Sequence, residues 1–239
     1  MSIKNFRKIL NILEKHGIFF IKISGGEPLI HPDIEQIGKE LIKHKFKKSL
    51  VTNGLLIDKH SRTLNNYFDK IGISIDGPEK IHNILRGKNS FKKIIKNLKK
   101  VKIPKTMYVT LSKKNCDHLT DIFKIAKQNN FCSIVFLIYK KVGNGKIAKK
   151  IAISSEALEK TKQILSKNKS KIPFFLHDNK KDICRAGYDL FNIKANGDVT
   201  PCSFSKIKAG NIFKNNFYTI IKKLNKVRKI CKNGCCHQT

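Results

Sequence analysis

The chain has 239 residues, 40% of them hydrophobic, which is enough for one sizeable core or for one large domain with a small appendage. Its formal net charge of +33 comes from lysine spread along the whole sequence, with only five arginines. Proteins dedicated to binding nucleic acid usually have their arginine and aromatic residues concentrated on one face, so this distribution argues against that class. No apolar run is long enough to span a membrane and residues 1–10 lack the apolar region of a signal peptide, so we expect a soluble cytoplasmic protein.

Short β-branched runs alternate with amphipathic helical stretches over the first part of the chain. The predicted strands are residues 18–24, 48–53, 70–76, 106–112 and 133–139. The predicted helices are residues 6–16, 33–44, 90–100 and 116–128. Strands that alternate with helices at roughly thirty-residue spacing predict repeated βα units, and therefore an α/β fold with a parallel sheet or barrel.

This alternation fades after about residue 150. Beyond that point the predicted elements are a helix over 154–167 with Ser154 or Ser155 as its N-cap, a strand over 171–177, a hairpin over 191–202 and a helix over 216–230. The hairpin is predicted because Asn196-Gly197 suits the positive φ angles of a tight turn. We therefore divide the chain into a βα domain over 1–150 and, over 151–239, a linker helix with a small cysteine-rich α+β unit.

The sequence Gly25-Gly26-Glu27-Pro28 directly follows the first predicted strand. Ligands of βα folds bind at the carboxyl ends of the strands, and glycines let a ligand approach the backbone closely. No Lys-Ser or Lys-Thr follows and Glu27 would repel phosphate, so this is not a phosphate loop. Glu27 and the loop carbonyls instead offer acceptors to a positive group such as an amine. The alternative is a plain strand-to-helix turn with a surface glutamate.

Glycines also follow the next two predicted strands, within residues 51–57 and 74–87. Together with Gly25–Pro28 these stretches resemble the radical SAM enzymes, whose core is a partial βα barrel that holds S-adenosylmethionine across the strand ends. The resemblance implies that Gly25, Gly26, Glu27 and Pro28 take the methionine amino group.

Two further residues match positions of the peptide-modifying and anaerobic sulfatase-maturating branch of that family. The resemblance implies that Ser74 and Arg86 hold the ribose and the carboxylate of the cofactor. An arginine suits a carboxylate because the contact is charge-assisted and can be bidentate. The alternative for Arg86 is an ordinary surface arginine on a helix. Residues 136–148 also resemble the family's sixth strand and the glycine turn after it.

Five of the seven cysteines lie in the last quarter of the chain: Cys184, Cys202, Cys231, Cys235 and Cys236. In a reducing compartment such clustering predicts metal ligation before disulfides. The other two, Cys116 and Cys132, are predicted to be buried, apolar cysteines.

Residues 184–213 and the Cys-x3-Cys of Cys231 and Cys235 resemble the auxiliary iron–sulfur region called SPASM, or its shorter form, twitch. The resemblance implies that Cys184, Cys202, Cys231 and Cys235 hold an auxiliary [4Fe-4S] cluster, with Cys236 as a spare or a substitute. Zinc is the alternative metal, although zinc sites usually have two Cys-x2-Cys pairs and only one short pair is present. Unliganded thiols are the third interpretation.

The sequence departs from the family most clearly in one motif, since no Cys-x3-Cys-x2-Cys is present to ligate the cluster that cleaves the cofactor. The Cys-x2-Cys that the family usually has before the closing Cys-x3-Cys is missing as well. The family places the Cys-x3-Cys-x2-Cys motif upstream of the helix that here occupies residues 6–16. We therefore expect an incomplete (β/α) barrel that lacks its first strand and the cysteine loop after it. We also expect a chain that is truncated and inactive alone.

The activity implied for the parent family is reductive cleavage of S-adenosylmethionine to a 5′-deoxyadenosyl radical, which abstracts hydrogen from a substrate. In this branch the substrate is often a peptide or a cofactor precursor, and an electron-donor protein is an expected partner. Three hypotheses follow, in this order: an incomplete copy of a radical SAM maturase, a non-catalytic iron–sulfur or peptide-binding homologue, and a basic protein that binds nucleic acid or another polyanion.

Overall fold

The structure is a computed structural model that describes residues 1–139, 151–168, 170–177 and 185–231, with the backbone alone for residues 228–231. The helices are α1 (Ile3–Lys15), α2 (Ile34–Leu41), α3 (Ile57–Tyr67), α4 (Glu79–Arg86), α5 (Ser90–Leu98), α6 (Leu119–Gln128), α7 (Ser155–Ser166) and α8 (Phe217–Cys231). The strands are β1 (Phe20–Ile23), β2 (Lys47–Thr52), β3 (Lys70–Ser74), β4 (Lys105–Leu111), β5 (Ser133–Ile138), β6 (Phe174–His177), β7 (Asn192–Ile193), β8 (Asp198–Thr200) and β9 (Gly210–Asn211).

The first six strands form one parallel sheet in the order β1-β2-β3-β4-β5-β6. Each new strand is added at the same edge, so the order never reverses as it does in a doubly wound sheet. The sheet curls into a half-barrel with helices on its outside. The predicted fold class, a partial (β/α) barrel, is therefore confirmed.

The two faces of this sheet differ in composition because side chains alternate along each strand. The face toward the helices carries a fully buried apolar core: Leu50, Ile71, Ile73, Met107, Val109, Ile134 and Phe136. On it, Phe123 of α6 packs its ring 6.0 Å from that of Phe136 and 5.6 Å from that of Phe174.

The opposite, inner face carries small and polar side chains, such as those of Ser74, Thr106 and Ser133, among larger ones. The hydroxyl oxygens of Thr106 and Ser133 lie 2.9 Å apart across β4 and β5. A Cβ on Gly72 would lie 2.4 Å from the Tyr108 ring, so the ring packs directly against the glycine. Burial raises the pKa of the Tyr108 hydroxyl.

The chain divides into two compact units. The sheet unit is Ile18–His177, and the hairpin unit is Met1–Gly17 together with Asp178–Thr239. By this division α1 groups with the C-terminal residues, and α7 and β6 group with the parallel sheet. The functional boundary predicted near residue 150 stays a prediction.

The hairpin unit contains a three-stranded antiparallel sheet in the order β7-β8-β9. The predicted hairpin over 191–202 is confirmed, since Asn192 pairs with Thr200 and Ile193 with Val199. Only Gly197 of the Asn196-Gly197 pair has a positive φ, +87°, and a Cβ there would lie 2.4 Å from the Phe213 ring. The turn therefore requires glycine for both its conformation and its packing.

Asp198 and Asn211 tie the ends of this small sheet together. The Nδ2 of Asn211 donates to the Asn196 carbonyl (3.0 Å) and to Asp198 Oδ1 (2.9 Å). The Lys208 ammonium lies 2.5 Å from the same oxygen of Asp198. Hydrogen bonds from Lys208 and then Asn211 hold the pKa of the Asp198 carboxyl at about 2.

Within the described ranges, no helix has the length and apolar character needed to cross a membrane.

Candidate cofactor site at the carboxyl ends of the strands

The glycine loop lies between the end of β1 and a short 3-10 helix, Pro28–Ile30. Gly25 and Gly26 are exposed, and no atom lies within 4 Å of the position that a Cβ would take on either. The φ of +159° at Gly25 favours glycine, but neither the backbone conformation nor the packing of the described residues explains a glycine at position 26. The space beside this backbone is open to a ligand.

Glu27 joins the ends of the first two strands. Its Oε1 accepts from the Thr52 hydroxyl (2.6 Å) and from the Leu29 N–H (3.1 Å). Its Oε2 accepts from the Asn53 N–H (2.7 Å). An ionised carboxylate has about four acceptor positions, so three of them are used inside the protein and one remains on Oε2. Glu27 is thus mainly a brace for the loop, and the acceptors left for a ligand are this position and the loop carbonyls.

The loop after β2 is fixed from both sides. The Thr52 hydroxyl oxygen accepts from the Gly54 N–H (3.0 Å), and Asn97 donates to the Gly54 carbonyl (3.0 Å). Gly54 has φ +83° and packs against Ile73 and Ile94, with a Cβ position only 3.1 Å from the nearest atom. Unlike Gly26, which has neither a positive φ nor a close neighbour, this glycine is required by the fold itself.

Ser74 ends β3 and is half-buried on the inner face. Among the described residues its hydroxyl has no hydrogen-bond partner. It lies at the same edge of the sheet as the glycine loop, because the carboxyl ends of parallel strands meet there.

Arg86 is the last residue of α4, and its side chain turns back to the loop after β3. Its Nε donates to Asp76 Oδ2 (2.5 Å), and its Nη2 lies 3.5 Å from the Thr110 hydroxyl. The Arg86 side chain is 36% exposed, whereas that of Asp76 is 3% exposed. Arg86 is therefore anchored on a buried carboxylate and is not an ordinary surface arginine.

Asp76, which sequence analysis missed as a site residue, is held at each of its polar groups. Oδ1 accepts from the Thr110 N–H (2.8 Å), and the backbone carbonyl accepts from Asn115 Nδ2 (2.8 Å). The backbone N–H donates to His82 Nδ1 (3.1 Å). A strand was predicted over 70–76, but β3 ends at Ser74, which leaves Asp76 in the loop.

The six predicted cofactor residues thus lie at one edge of one sheet: Gly25, Gly26, Glu27, Pro28, Ser74 and Arg86. Together they offer carbonyl and carboxylate acceptors after β1, a hydroxyl on β3 and a guanidinium beyond it. This set is complementary to a ligand that carries an amine, a free carboxylate and a polar hydroxyl group, as a nucleoside that bears an intact amino-acid group does.

The predicted cluster ligands fall largely outside the described residues. Cys184 and Cys235 lie outside them, as does Cys236, and Cys231 is described by its backbone alone. Cys202 follows β8 and is half-buried, and its carbonyl accepts from the Thr200 hydroxyl (2.9 Å) and the Ser205 N–H (3.2 Å). Within the described ranges, no three His, Cys, Asp or Glu side chains group as a metal site.

The other two cysteines differ from each other. Cys116 is buried, as predicted, and burial raises the pKa of its thiol. The prediction was wrong for Cys132, which is exposed and donates from its Sγ to the Lys105 carbonyl (3.1 Å). Cys132 precedes β5 instead of lying within it, so its side chain is not part of the apolar face.

Residues 1–126 match the Radical SAM superfamily, and residues 184–238 match SPASM, an iron–sulfur cluster-binding domain. The chain therefore belongs to the radical SAM superfamily, as its motifs indicated. The cofactors that go with these two domains are S-adenosylmethionine and [4Fe-4S] clusters.

Several proteins to which the chain is similar are biosynthesis or maturation proteins. The subtilosin biosynthesis protein AlbA of Bacillus subtilis is 28% identical over 236 residues, which cover 92% of this chain and 52% of AlbA. A cysteine-type anaerobic sulfatase-maturating enzyme of Clostridium perfringens is 26% identical over 284 residues, which cover 96% of this chain and 76% of that enzyme. The chain spans 52% of AlbA and 57% of the related B. subtilis protein SkfB, so it corresponds to a little over half of each.

Solved structures support the fold. Streptococcus suis SuiB bound to S-adenosylmethionine has a TM-score of 0.78 at 19% identity, over 98% of this chain and 66% of that one. SuiB bound to the precursor peptide SuiA gives the same TM-score of 0.78 over 98% of this chain and 65% of that one.

Proposed function

We propose that this chain binds S-adenosylmethionine at the carboxyl ends of β1–β3 and acts as part of a maturase that modifies a peptide. The observation that carries the proposal is the pairing of an open glycine loop with an anchored arginine at one sheet edge. Gly25 and Gly26 leave room that nothing in the described structure fills, and Arg86 faces the same edge from a buried Asp76. S-adenosylmethionine supplies hydrogen-abstracting radical chemistry when it is reductively cleaved.

The residues of the chain fit the polar groups of that cofactor. The loop carbonyls and the remaining position on Glu27 Oε2 accept from the methionine amine. The Nη groups of Arg86 hold the carboxylate through charge-assisted hydrogen bonds, and the Ser74 hydroxyl meets the ribose. Each of these groups is held by the strand ends, so the site is ordered before the ligand arrives.

The hairpin unit supplies an auxiliary cluster in this proposal. Cys184, Cys202, Cys231 and Cys235 would hold a [4Fe-4S] cluster, since four thiolates suffice for one. The match of residues 184–238 to an iron–sulfur domain supports iron over zinc. The 239 residues contain no Cys-x3-Cys-x2-Cys, so the proposal assigns no ligand of the cofactor-cleaving cluster to any residue of this sequence.

A peptide is the proposed substrate class. AlbA acts in bacteriocin biosynthesis, and SuiB has been solved with a precursor peptide. A protein electron donor is part of the same proposal, because cleavage of the cofactor is reductive.

The test is equilibrium dialysis of S-adenosylmethionine against the purified chain and its Arg86→Lys variant. Lysine keeps the charge but cannot make the bidentate contact or keep the Nε bond to Asp76. We expect binding to weaken about tenfold or more, as for a lost hydrogen bond between charged groups.

Arg62→Lys is the matched control, because Arg62 is an exposed arginine of α3 within the same unit. It should bind S-adenosylmethionine like the unchanged chain. An unchanged chain that does not bind, or two variants that bind equally well, would contradict the proposed site.

A further inference from the structure

We propose that Asp76 and His82 are positioning residues that hold Arg86 in the orientation needed to receive the carboxylate of an amino-acid-bearing ligand. The inference rests on the proposed function, because it concerns the same site. It assigns roles to two residues that the glycine and arginine motifs do not include.

The first step is the way in which Arg86 uses its donors. A guanidinium has five N–H donors in a fixed plane, so a bond at Nε sets the direction of the Nη groups. Asp76 takes the Nε–H, and Thr110 lies at the 3.5 Å limit from Nη2. Among the described residues, Arg86 has no other partner. The outer edge formed by the two Nη groups is therefore left for a ligand carboxylate.

The second step is that Asp76 cannot turn. Its two carboxylate oxygens accept from different partners, the Thr110 N–H and the Arg86 Nε–H. Its backbone carbonyl and N–H are bound by Asn115 and His82. A carboxylate fixed at all of these points transmits a single orientation to the guanidinium.

The third step concerns His82, which is fully buried in the middle of α4. Its Nδ1 accepts from the Asp76 N–H at 3.1 Å, so the ring is neutral and carries its proton on Nε2. That Nε2 has no hydrogen-bond partner among the described residues. The nearest ring is Phe91, 5.9 Å away between centroids.

A buried donor without a partner costs free energy that a leucine or phenylalanine of similar size would not incur. We infer that histidine occupies this position for its acceptor. Burial lowers the pKa of His82 to about 4, although the Asp76 charge acts in the opposite direction and Arg86 in the same direction. His82 therefore stays an acceptor for the Asp76 N–H throughout the neutral range.

The fourth step is the helical spacing. His82 and Arg86 are four residues apart on α4, so they lie on one face, one turn above the other. His82 binds the backbone of Asp76, and Arg86, one turn further along the helix, binds its side chain. Two consecutive turns of α4 are thus attached to a single aspartate, which fixes both the helix and the arginine at its end.

The test measures how strongly the site recognises the ligand carboxylate. Equilibrium dialysis would compare S-adenosylmethionine, its decarboxylated analogue and 5′-methylthioadenosine, which lacks the amino-acid part. For the unchanged chain we expect the decarboxylated analogue to bind about tenfold more weakly than S-adenosylmethionine.

Asp76→Asn and His82→Leu should reduce that tenfold ratio to about threefold or less, while 5′-methylthioadenosine binds as before. His82→Asn should keep the ratio, because the asparagine oxygen can replace Nδ1 as the acceptor. If His82→Leu does not fold by circular dichroism, Asp76→Asn against His82→Asn carries the same test.

The outcomes separate the two proposals. Equal weakening of all three ligands in Asp76→Asn and His82→Leu would indicate a merely structural role and overturn the inference, as would an unchanged ratio. If the unchanged chain fails to bind S-adenosylmethionine, or does not distinguish it from the decarboxylated analogue, the proposed function fails and this inference fails with it.

Discussion

The candidate ligand groups of the sheet unit and of the hairpin unit are of different chemical kinds, as Glu27 and Cys202 illustrate. Glu27 accepts three hydrogen bonds from the loops that surround it, so its position is set by the protein alone. Cys202 is one of four proposed thiolate ligands, and thiols are weak hydrogen-bond partners. A site of carboxylates, amides and a guanidinium can keep its geometry without a ligand, whereas a site of thiolates depends on its metal.

The largest expected effect is at the hairpin unit. Cys202→Ala should remove most of the auxiliary cluster, from about four irons per chain to less than about one, since the cluster needs its thiolates. The measurement is iron and sulfide content after anaerobic reconstitution, together with the binding of S-adenosylmethionine, which should not change.

Cys132→Ala is the control, because Cys132 is an exposed cysteine of the sheet unit. It should leave the iron content unaltered. Stoichiometric zinc in place of iron, or full iron content in Cys202→Ala, would contradict the assignment of an iron–sulfur site to this thiol.

The next effect is at Glu27 and tests whether the loop is braced by the protein itself. In Glu27→Gln one carboxylate oxygen is replaced by an NH₂ group, which cannot accept the hydrogen bonds that this oxygen accepts in the unchanged chain. We therefore expect a loss of about 1–3 kcal/mol in the free energy of unfolding. Chemical denaturation followed by circular dichroism measures it.

Glu35→Gln makes the same chemical change at an exposed i,i+4 pair with Lys39. It should have little effect, because exposed ion pairs contribute little. If the two variants are equally stable, the hydrogen bonds of Glu27 do not brace the loop.

The smallest effect is at Asp198, whose folded pKa of about 2 is below its ordinary value of 3.8. A carboxyl with a depressed pKa stabilises the fold above the unfolded pKa, and that contribution is lost as pH falls through the folded one. Stability should therefore fall between about pH 4 and pH 2. Thermal unfolding of the unchanged chain over this range should be steeper in pH than that of Asp198→Asn. The difference should shrink at high salt because the Lys208 ammonium that pairs with Asp198 is exposed. Identical pH profiles would show that the Lys208 contact has no effect on stability.

Sequence reasoning was most accurate where one apolar face decides the element. The strand predicted over 106–112 is Lys105–Leu111, because alternating burial on the two faces leaves a clear period. Helix α3 was not predicted, since few of its residues are apolar and only Ile57, Thr63 and Leu64 are buried. Its stability comes from contacts with other elements and not from its own pattern.

The candidate site residues that belong to a sequence motif could be predicted, whereas the buried polar residues that support them could not. Gly25–Pro28 were predicted from the glycines after a strand and from the family resemblance, and Arg86 from that resemblance alone; the structure places them at one edge of the sheet. Asp76 and His82 were missed because a buried polar residue looks like a surface one in sequence, and only the tertiary hydrogen bonds distinguish it. The aspartate after a strand end, in the loop before Gly77, was the one available signal.

The most direct test of the account compares Gly26→Ala with Gly72→Ala. A Cβ on Gly26 meets no atom within 4 Å, whereas one on Gly72 would lie 2.4 Å from the Tyr108 ring. Gly72→Ala should therefore lower the free energy of unfolding by about 1–3 kcal/mol through overpacking. This variant is the positive control, because it shows that the stability measurement detects a methyl group placed where another side chain already lies.

The measurement to make first is the stability of Gly26→Ala and its affinity for S-adenosylmethionine, side by side. We predict a free energy of unfolding within about 0.5 kcal/mol of the unchanged chain and binding weakened about tenfold or more, because the new methyl group occupies the space of the ligand. Unaltered binding in a stable Gly26→Ala variant would contradict the claim that this loop is bare in order to receive the cofactor.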